Sequence, residues 1–363
     1  MPKLCEKPKE IVLVTFYIGN GGAERVFSGL ANYWVNKGIK VTIVQTRTFL
    51  GDIEYRINEK IYIENIVFSK GNFRRIKQIK DFVRLMRDKP NAVIIGFLPQ
   101  TVLLTGLASI FLKNKLILSE RNDPERSPGN KLLRIGRDLM FEFGDKFVFQ
   151  TEQAKEHFSK RIQKNGFVIP NPINPNLPEP FIGVRKKTII AAARLEKQKN
   201  LPMLIQAFAL FHEQFPDYSL EIYGRGPLEN EFNNLIQEKG IQDSARLMGF
   251  SDDIYSKMRD CAMYVSSSDY EGISNSMIEA LGLGLPTICT DCPCGGARET
   301  ITDGVNGLLV PVGDIQALYE AMCLIAENPE FAETLSRNAV RIREDLSVDK
   351  IADQWLKVMG MEG

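Results

Sequence analysis

Residues 171–180 read N-P-I-N-P-N-L-P-E-P. Four prolines in ten residues remove backbone donors and fix φ, so neither a helix nor a central strand runs through this stretch. It reads as a linker, and it divides the 363 residues into two lengths that each suit one domain. The same alternation of elements appears on both sides of it.

Upstream, apolar runs of strand length alternate with segments of helical period. I-V-L-V-T-F at 11–16 is followed by a helical pattern from Ala23 to Lys37 and by K-V-T-I-V-Q at 40–45. A-V-I-I-G-F-L, K-L-I-L-S-E, K-F-V-F-Q and F-V-I-P-N continue the series. Strands without polar alternation are buried on both faces, as a parallel sheet covered by helices requires. Downstream the series restarts with T-I-I-A-A-A, a helix from Leu201 to Phe215 and S-L-E-I-Y-G. Further helical patterns near 228–239, 253–261 and 275–283 alternate with A-R-L-M-G-F, M-Y-V-S-S-S and P-T-I-C-T-D, before G-L-L-V-P. The expectation is an α/β protein of two Rossmann-like lobes facing a central cleft. Residues 1–170 form the first lobe, 171–187 the linker and 188–340 the second, with a helical end at 341–363 packing back towards the first.

Composition supports a soluble globular chain, with 44% hydrophobic and 25% charged residues, and excludes the disordered and fibrous classes. The net charge of +1 conceals an asymmetry. Residues 1–170 hold 29 basic and 17 acidic side chains, leaving 17 and 28 for the remainder. A basic half suits an anionic membrane, a polyanion or a phosphorylated substrate. Six cysteines are too few for a disulfide framework, which points to a reducing compartment. Cys289, Cys292 and Cys294 include one C-x-x-C without a second pair or a nearby histidine, so they read as small buried residues and no metal site is expected. The charged amino terminus lacks the apolar core of a secretory signal. Pro99-Gln100 breaks the apolar run at 92–112 into a strand, a turn and a buried helix, so no membrane span is expected.

Between the first strand and the first helix lies V-T-F-Y-I-G-N-G-G-A-E-R-V-F, residues 14–27. Gly19, Gly21 and position 24 have the spacing of a dinucleotide fingerprint, but position 24 is Glu, and the next strand ends in Gln45 and Arg47 where an acid should take a ribose diol. An NAD-dependent oxidoreductase is therefore disfavoured, while a tight turn that binds nothing stays open.

The second lobe offers more. R-L-E-K-Q-K-N-L-P places Arg194 and Lys199 between a strand and a helix, where two cations suit a diphosphate, although a solvated loop fits as well. In S-S-S-D-Y-E-G-I-S-N-S-M-I-E-A-L, Glu271 and Glu279 lie eight residues apart around a small segment whose backbone N–H groups open a helix. Carboxylates there are acceptors for sugar hydroxyls.

Taken in order, G-G-A-E, R-L-E-K-Q-K-N, G-R-G-P-L and E-G-I-S-N-S-M-I-E-A-L-G-L-G-L-P resemble the retaining glycosyltransferases of the GT-B fold with the E-x(7)-E motif. The likeness runs from Ile11 to Trp355. It implies a nucleotide-sugar donor, a UDP-hexose or UDP-N-acetylhexosamine, with Arg194 and Lys199 neutralising its diphosphate. It also implies that Glu279 holds the ribose, that Glu271 contacts the transferred sugar, and that the backbone of Gly272, Ile273 and Ser274 binds phosphate or sugar. Gly21 and Gly22 would approach the diphosphate from the first lobe, while the loops at Gly224, Gly226 and Pro227 and at Gly249 and Phe250 lie near the base. Transfer would proceed with retention through a front-face mechanism. No Asp-x-Asp motif is present, and the cations stabilise the leaving group without a metal or other cofactor.

Where many relatives have a histidine after the strand K-L-I-L-S-E, this chain has S-E-R-N-D-P. Glu120, Arg121 and Asn122 then line the acceptor side, with Glu24 a further candidate, or else form a structural salt-bridged loop. Residues 71–89 interleave basic residues with Phe73, Ile76, Ile79, Phe82, Val83 and Met86 at helical spacing. That pattern fits a helix lying on an anionic bilayer and an ordinary helix of a basic domain equally well. Lipid-linked acceptors in the resembling family favour the membrane. The expected protein is a cytoplasmic, monomeric enzyme that binds no nucleic acid and visits the inner face of the membrane to extend a polyprenyl-diphosphate-linked sugar. A catalytically silent sugar-nucleotide-binding protein is the alternative.

Overall fold

The computed structural model describes residues 9–19, 21–47, 57–66 and 74–362. The chain divides into two compact units, Met1–Pro172 with Val348–Gly363, and Ile173–Ser347.

In the first unit the strands are β1 (Glu10–Thr15), β2 (Lys40–Gln45), β3 (Tyr62–Asn65), β4 (Ala92–Gly96), β5 (Lys115–Ser119), β6 (Lys146–Phe149) and β7 (Gly166–Val168). They form one sheet in the order β3-β2-β1-β4-β5-β6-β7. Every pairing is parallel, with β1 between β2 and β4 and fully buried. The crossovers are α1 (Gly22–Asn36), α2 (Arg74–Arg87), α3 (Pro99–Ser109), α4 (Lys131–Phe141) and the short α5 (Glu152–Glu156) and α6 (Lys160–Lys164). Since β1 leads to β2 on one side and β4 leads to β5 on the other, right-handed crossovers put α1 and α3 on opposite faces.

The second unit contains β8 (Lys186–Ala192), a 3-10 turn (Lys197–Lys199), α7 (Leu201–Gln214), β9 (Ser219–Tyr223), α8 (Glu229–Glu238), β10 (Ala245–Gly249), α9 (Ile254–Arg259) and β11 (Cys261–Ser266). α10 (Asn275–Gly282), β12 (Thr287–Thr290), β13 (Leu308–Val310), α11 (Ile315–Glu327), α12 (Pro329–Ala339) and α13 (Ile342–Asp345) complete it. Its sheet, again wholly parallel, runs β10-β9-β8-β11-β12-β13. Ile189, Ile222 and Val265 from the strands meet Leu204, Phe208 and Met322 from the helices in its core.

The last helix, α14 (Val348–Met359), belongs to the first unit. Trp355 is fully buried there, with its ring 6.5 Å from that of Trp34 and 6.0 Å from that of Phe97. Trp34 Nε1 donates to the Ala352 carbonyl at 3.3 Å, and Lys115 Nζ donates to the Val358 carbonyl at 2.9 Å, close to the carbonyls that α14 leaves without intrahelical partners.

Three features differ from the sequence reading. The proline-rich stretch is not a loose linker: from Ile173 on it is strapped to the second unit. The Ile173 N–H donates to the Leu346 carbonyl at 2.8 Å, Arg343 donates to the Leu177 carbonyl at 3.1 Å, and Asn174 donates to the Tyr255 hydroxyl at 2.9 Å. α13 likewise stays with the second unit, so the returning segment begins at Val348 and not at 341. The third is β3, an edge strand that the sequence reading lacks, with Tyr62 and Ile63 60% and 40% exposed.

α2 buries Phe82, Val83 and Met86 in the first unit, and Gln78 donates to the carbonyls of Thr46 and Ile66 at 3.0 and 2.7 Å. The carboxyl-terminal part of its apolar stripe thus serves the core, while Ile79 is half-buried and Ile76 is 52% exposed; Phe73 lies outside the described residues. No helix among the described residues is long and apolar enough to cross a membrane.

Candidate functional site

A doubly wound sheet leaves its loops diverging where the strand order reverses, which in the second unit is between β8 and β11. The loop after β8 carries Arg194 to Asn200, and the loop after β11 carries Ser267 to Ser274. Hydrogen bonds clasp the two loops together. The Asp269 N–H donates to the Gln198 carbonyl at 2.8 Å, Ser267 Oγ to the Lys199 carbonyl at 3.0 Å, and Asn200 Nδ2 to Asp269 Oδ1 at 2.7 Å. Asn200 adopts φ 39°, a left-handed conformation that asparagine tolerates better than most residues, and α7 starts immediately after it.

Inside the clasp Lys199 Nζ forms an ion pair with Glu271, and both side chains are about one-seventh exposed, at 14% and 16%. Gln198 Nε2 donates to the other carboxylate oxygen at 3.2 Å and to the Tyr270 carbonyl at 2.9 Å, while Ser268 Oγ donates to Glu271 Oε1 at 3.1 Å. Glu271 is thereby oriented by three side chains. Beside it, Gly272, Ser274, Met277, Cys292 and Ala297 line a small cleft at the start of α10, whose first N–H groups have no intrahelical acceptor. Glu279 lies on the same helix and is 6% exposed.

Arg194 differs from Lys199. Its side chain is 63% exposed and pairs with Glu196 at 3.0 Å. Gly224 and Gly226 pack their α-carbons onto this loop: a Cβ on Gly224, at φ +143°, would fall 1.8 Å from the Ala193 carbonyl oxygen, and one on Gly226 would fall 2.4 Å from that of Leu195. The Gly224 N–H donates to the Gly249 carbonyl at 2.8 Å, and the Arg225 guanidinium lies 5.9 Å from the ring of Phe250, which is 42% exposed. The structure therefore gathers Gly224, Gly226, Pro227, Gly249 and Phe250 beside Arg194, and Gly272, Ile273 and Ser274 beside Glu271.

The cysteines brace this site. Cys292 Sγ donates to the Ser268 carbonyl at 2.9 Å, joined there by Thr290 Oγ1 at 2.6 Å. Burial pushes the Cys292 thiol up to about 12 and that of Cys289 well above its usual value, so both stay protonated near neutrality. The loop then passes so close to Gly272 that a Cβ on Gly296 would fall 1.8 Å from the Gly272 carbonyl oxygen. Gly296→Ala is expected to cost about 1–3 kcal/mol in stability, because the backbone beside Glu271 must shift to admit the methyl group. Thermal unfolding of the variant beside wild type checks this; an unchanged midpoint would show that the close approach to Gly272 relaxes without cost.

In the first unit the glycine turn is held from two directions. The Glu24 carboxylate folds back over Gly21, where a Cβ would fall 2.1 Å from Oε2, and the residue is 7% exposed. Gly21 has φ −86°, which any residue adopts, and its missing side chain leaves the space that the Glu24 carboxylate takes; Gly22 opens α1. Gln45 Oε1 accepts from the Ile18 N–H at 2.7 Å, so the side chain that breaks the dinucleotide pattern supports the turn.

At the end of β5, Glu120 is 1% exposed and accepts from Arg137 Nη1 at 2.8 Å and from the backbone N–H groups of Arg121 and Asn122 at 3.0 and 3.1 Å. Arg121 donates to the Ile169 carbonyl at 3.1 Å and to Asn171, with its guanidinium 5.4 Å from the Phe97 ring. The salt-bridged-loop reading fits Glu120 and Arg121. Glu120 keeps almost no surface for an acceptor, whereas Arg121 and Asn122 are each half-buried and keep some.

Sequence reasoning missed Gln198, Ser268, Asn200 and Asp269. The S-S-S-D-Y run held a signal in its density of short hydrogen-bonding side chains, but their partners lie about seventy residues away in sequence.

Two doubly wound units with a cation–carboxylate clasp at a switch point define an α/β protein of the nucleotide-handling kind. The family model described as Glycosyltransferase Family 4 matches residues 20–177, and that described as Glycosyl transferases group 1 matches 174–341. The chain belongs to these glycosyltransferases and has their GT-B fold. An uncharacterized glycosyltransferase of Haemophilus influenzae is 27% identical over 363 residues, covering 97% of this chain and all of that one. An N-acetylgalactosamine-N,N'-diacetylbacillosaminyl-diphospho-undecaprenol 4-alpha-N-acetylgalactosaminyltransferase of Campylobacter jejuni is 32% identical over 178 residues, 49% of this chain and 48% of its own. Among solved structures, Anabaena HepE in complex with UDP and glucose superposes with a TM-score of 0.84 at 19% identity, over 97% of this chain and all of that one, a likeness of fold.

Proposed function

We propose that the protein transfers a hexose or N-acetylhexosamine, with retention, from a UDP-sugar to a polyprenyl-diphosphate-linked sugar. The observation that carries this reading is the clasp, which sets Lys199 and Glu271 at the mouth of α10. The Lys199 ammonium and the exposed Arg194 suit a diphosphate, the backbone of Gly272, Ile273 and Ser274 suits its oxygens, and Glu279 takes the ribose. Glu271 contacts the transferred sugar. The bond between the anomeric carbon and the diphosphate oxygen breaks, the acceptor oxygen bonds to the same face, and the acceptor proton passes to the departing phosphate. Negative charge grows on the diphosphate as it leaves, and a fixed cation stabilises that change more than it stabilises bound donor. Arg121, Asn122 and Glu24 are the acceptor-side candidates of the first unit.

Support for the donor comes from HepE and from the pneumococcal GtfA, both solved with UDP. Support for the acceptor comes from the undecaprenol-linked substrate in the name of the Campylobacter relative. A panel of UDP-sugars with lipid-linked and soluble acceptors, read by UDP release and by the anomeric configuration of the product, tests the proposal. Inverted product overturns retention. UDP binding without turnover on any pair favours the silent binding protein.

A further inference from the structure

The outer face of α4 is unusual for a covering helix. Arg137 and Phe141 point into the unit at 1% and 0% exposure, whereas Leu132, Ile135 and Leu139, spaced to share one stripe, are 77%, 47% and 58% exposed. Phe143, in the turn after α4, continues the stripe at 45%, and in the turn after neighbouring α3 Ile110 and Phe111 are 55% and 64% exposed. The two helices pack side by side, since a Cβ on Gly106 of α3 would lie 2.9 Å from Met140 of α4. Exposed apolar side chains are ordinary singly, but six together on α4 and the turns that end α3 and α4 mark an interaction surface.

Charge selects the partner. Lys131 opens α4 and Lys113 follows Phe111, and neither forms an ion pair among the described residues. The acids of this face are already matched: Asp138 with Arg137 at 2.8 Å, and Glu142 with Arg161 at 3.0 Å. α2 lies on the other flank of α3 with Phe82, Val83 and Met86 in the core and Ile76 52% exposed, and it turns Lys77, Lys80, Arg84 and Arg87 to solvent with Asp81 and Asp88 among them, a net basic surface. A second copy docking on the same patch would set these cations against their own kind. An anionic bilayer meets both demands, accepting the apolar stripe between its headgroups and matching the cations at its surface.

We propose that the α3–α4 face is a membrane-docking surface for anionic lipid, with α4 lying in the interface and the basic face of α2 beside it. The inference rests on the reading of a lipid-linked acceptor, but flotation, which decides it, needs no substrate. The full chain is floated with vesicles of phosphatidylcholine plus phosphatidylglycerol and with phosphatidylcholine alone, at low and high salt, beside Leu132→Glu/Leu139→Glu. Wild type is expected to float with the anionic vesicles, more weakly at high salt, and the double variant to bind about tenfold or more weakly, since both stripe residues become acids. The variant's UDP release with a soluble acceptor is expected to be unchanged. Equal flotation of the two proteins overturns the proposal, as does no flotation of wild type at low salt. A wild-type dimer that the variant abolishes, without flotation, assigns the patch to a second copy and overturns it too. Loss of UDP release in wild type counts against the transfer reaction and leaves the flotation result intact.

Discussion

Lys199→Ala is expected to slow sugar transfer by about 10²–10³-fold at saturating donor, the range set by removing one group that stabilises developing charge. On the proposed roles, this lysine and not Arg194 carries the larger effect. Lys199 is held within the clasp by Glu271, and its backbone carbonyl is fixed by Ser267. A preorganised cation needs little reorientation as charge develops on the diphosphate, whereas the exposed Arg194 must leave Glu196 and order its long side chain. Arg194→Ala should therefore cost less in rate and leave folding untouched. Removing Lys199 also leaves a largely enclosed carboxylate with only Gln198 and Ser268 as side-chain donors, so a loss of stability is expected with it. Single-turnover UDP release, compared with thermal unfolding of the same samples, separates the two consequences. A Lys199→Ala enzyme that turns over at the wild-type rate would remove the residue from the mechanism.

Trp355→Ala is expected to destabilise the first unit by about 3–5 kcal/mol, the range for emptying a buried aromatic site. Its indole packs against Trp34 and Phe97 with no exposed surface, so truncation leaves a cavity between α14 and the sheet. The effect should be local. The chain has two tryptophans, both in the first unit, so in the variant the fluorescence of Trp34 reports that unit alone while far-ultraviolet dichroism reports both. Urea titration should show the fluorescence transition moving to lower denaturant while the transition of the second unit stays in place. Coincident transitions at the wild-type midpoint would show that α14 contributes nothing to the stability of the first unit.

The elements that the sequence makes legible are those whose burial is complete. β1, β4 and β5 are apolar over nearly their whole length because helices cover both faces, and their runs stand out without reference to any distant residue. β3 does not stand out, because Y-I-E-N at a sheet edge has no buried pattern to display. The proline-rich stretch misleads for a related reason. Proline excludes regular structure but not packing, and Ile173 and Leu177 reach Gly282, a contact no local pattern reveals. In the site, Glu271 and Glu279 are legible because one short segment holds both. The hydrogen bonds that orient Glu271 are not, because Gln198 comes from a different loop and only the sheet order brings it there.

The return of α14 has a consequence for synthesis. The first unit is discontinuous in sequence, so Trp34 and Phe97 emerge early and lack their cover until Trp355 follows. At roughly 5–20 residues per second, the intervening chain keeps that surface open for tens of seconds. The second unit, contiguous from Ile173 to Ser347, has no such wait. Order of completion on the ribosome is then the reverse of order in sequence, and the nascent first unit is the form most in need of a chaperone.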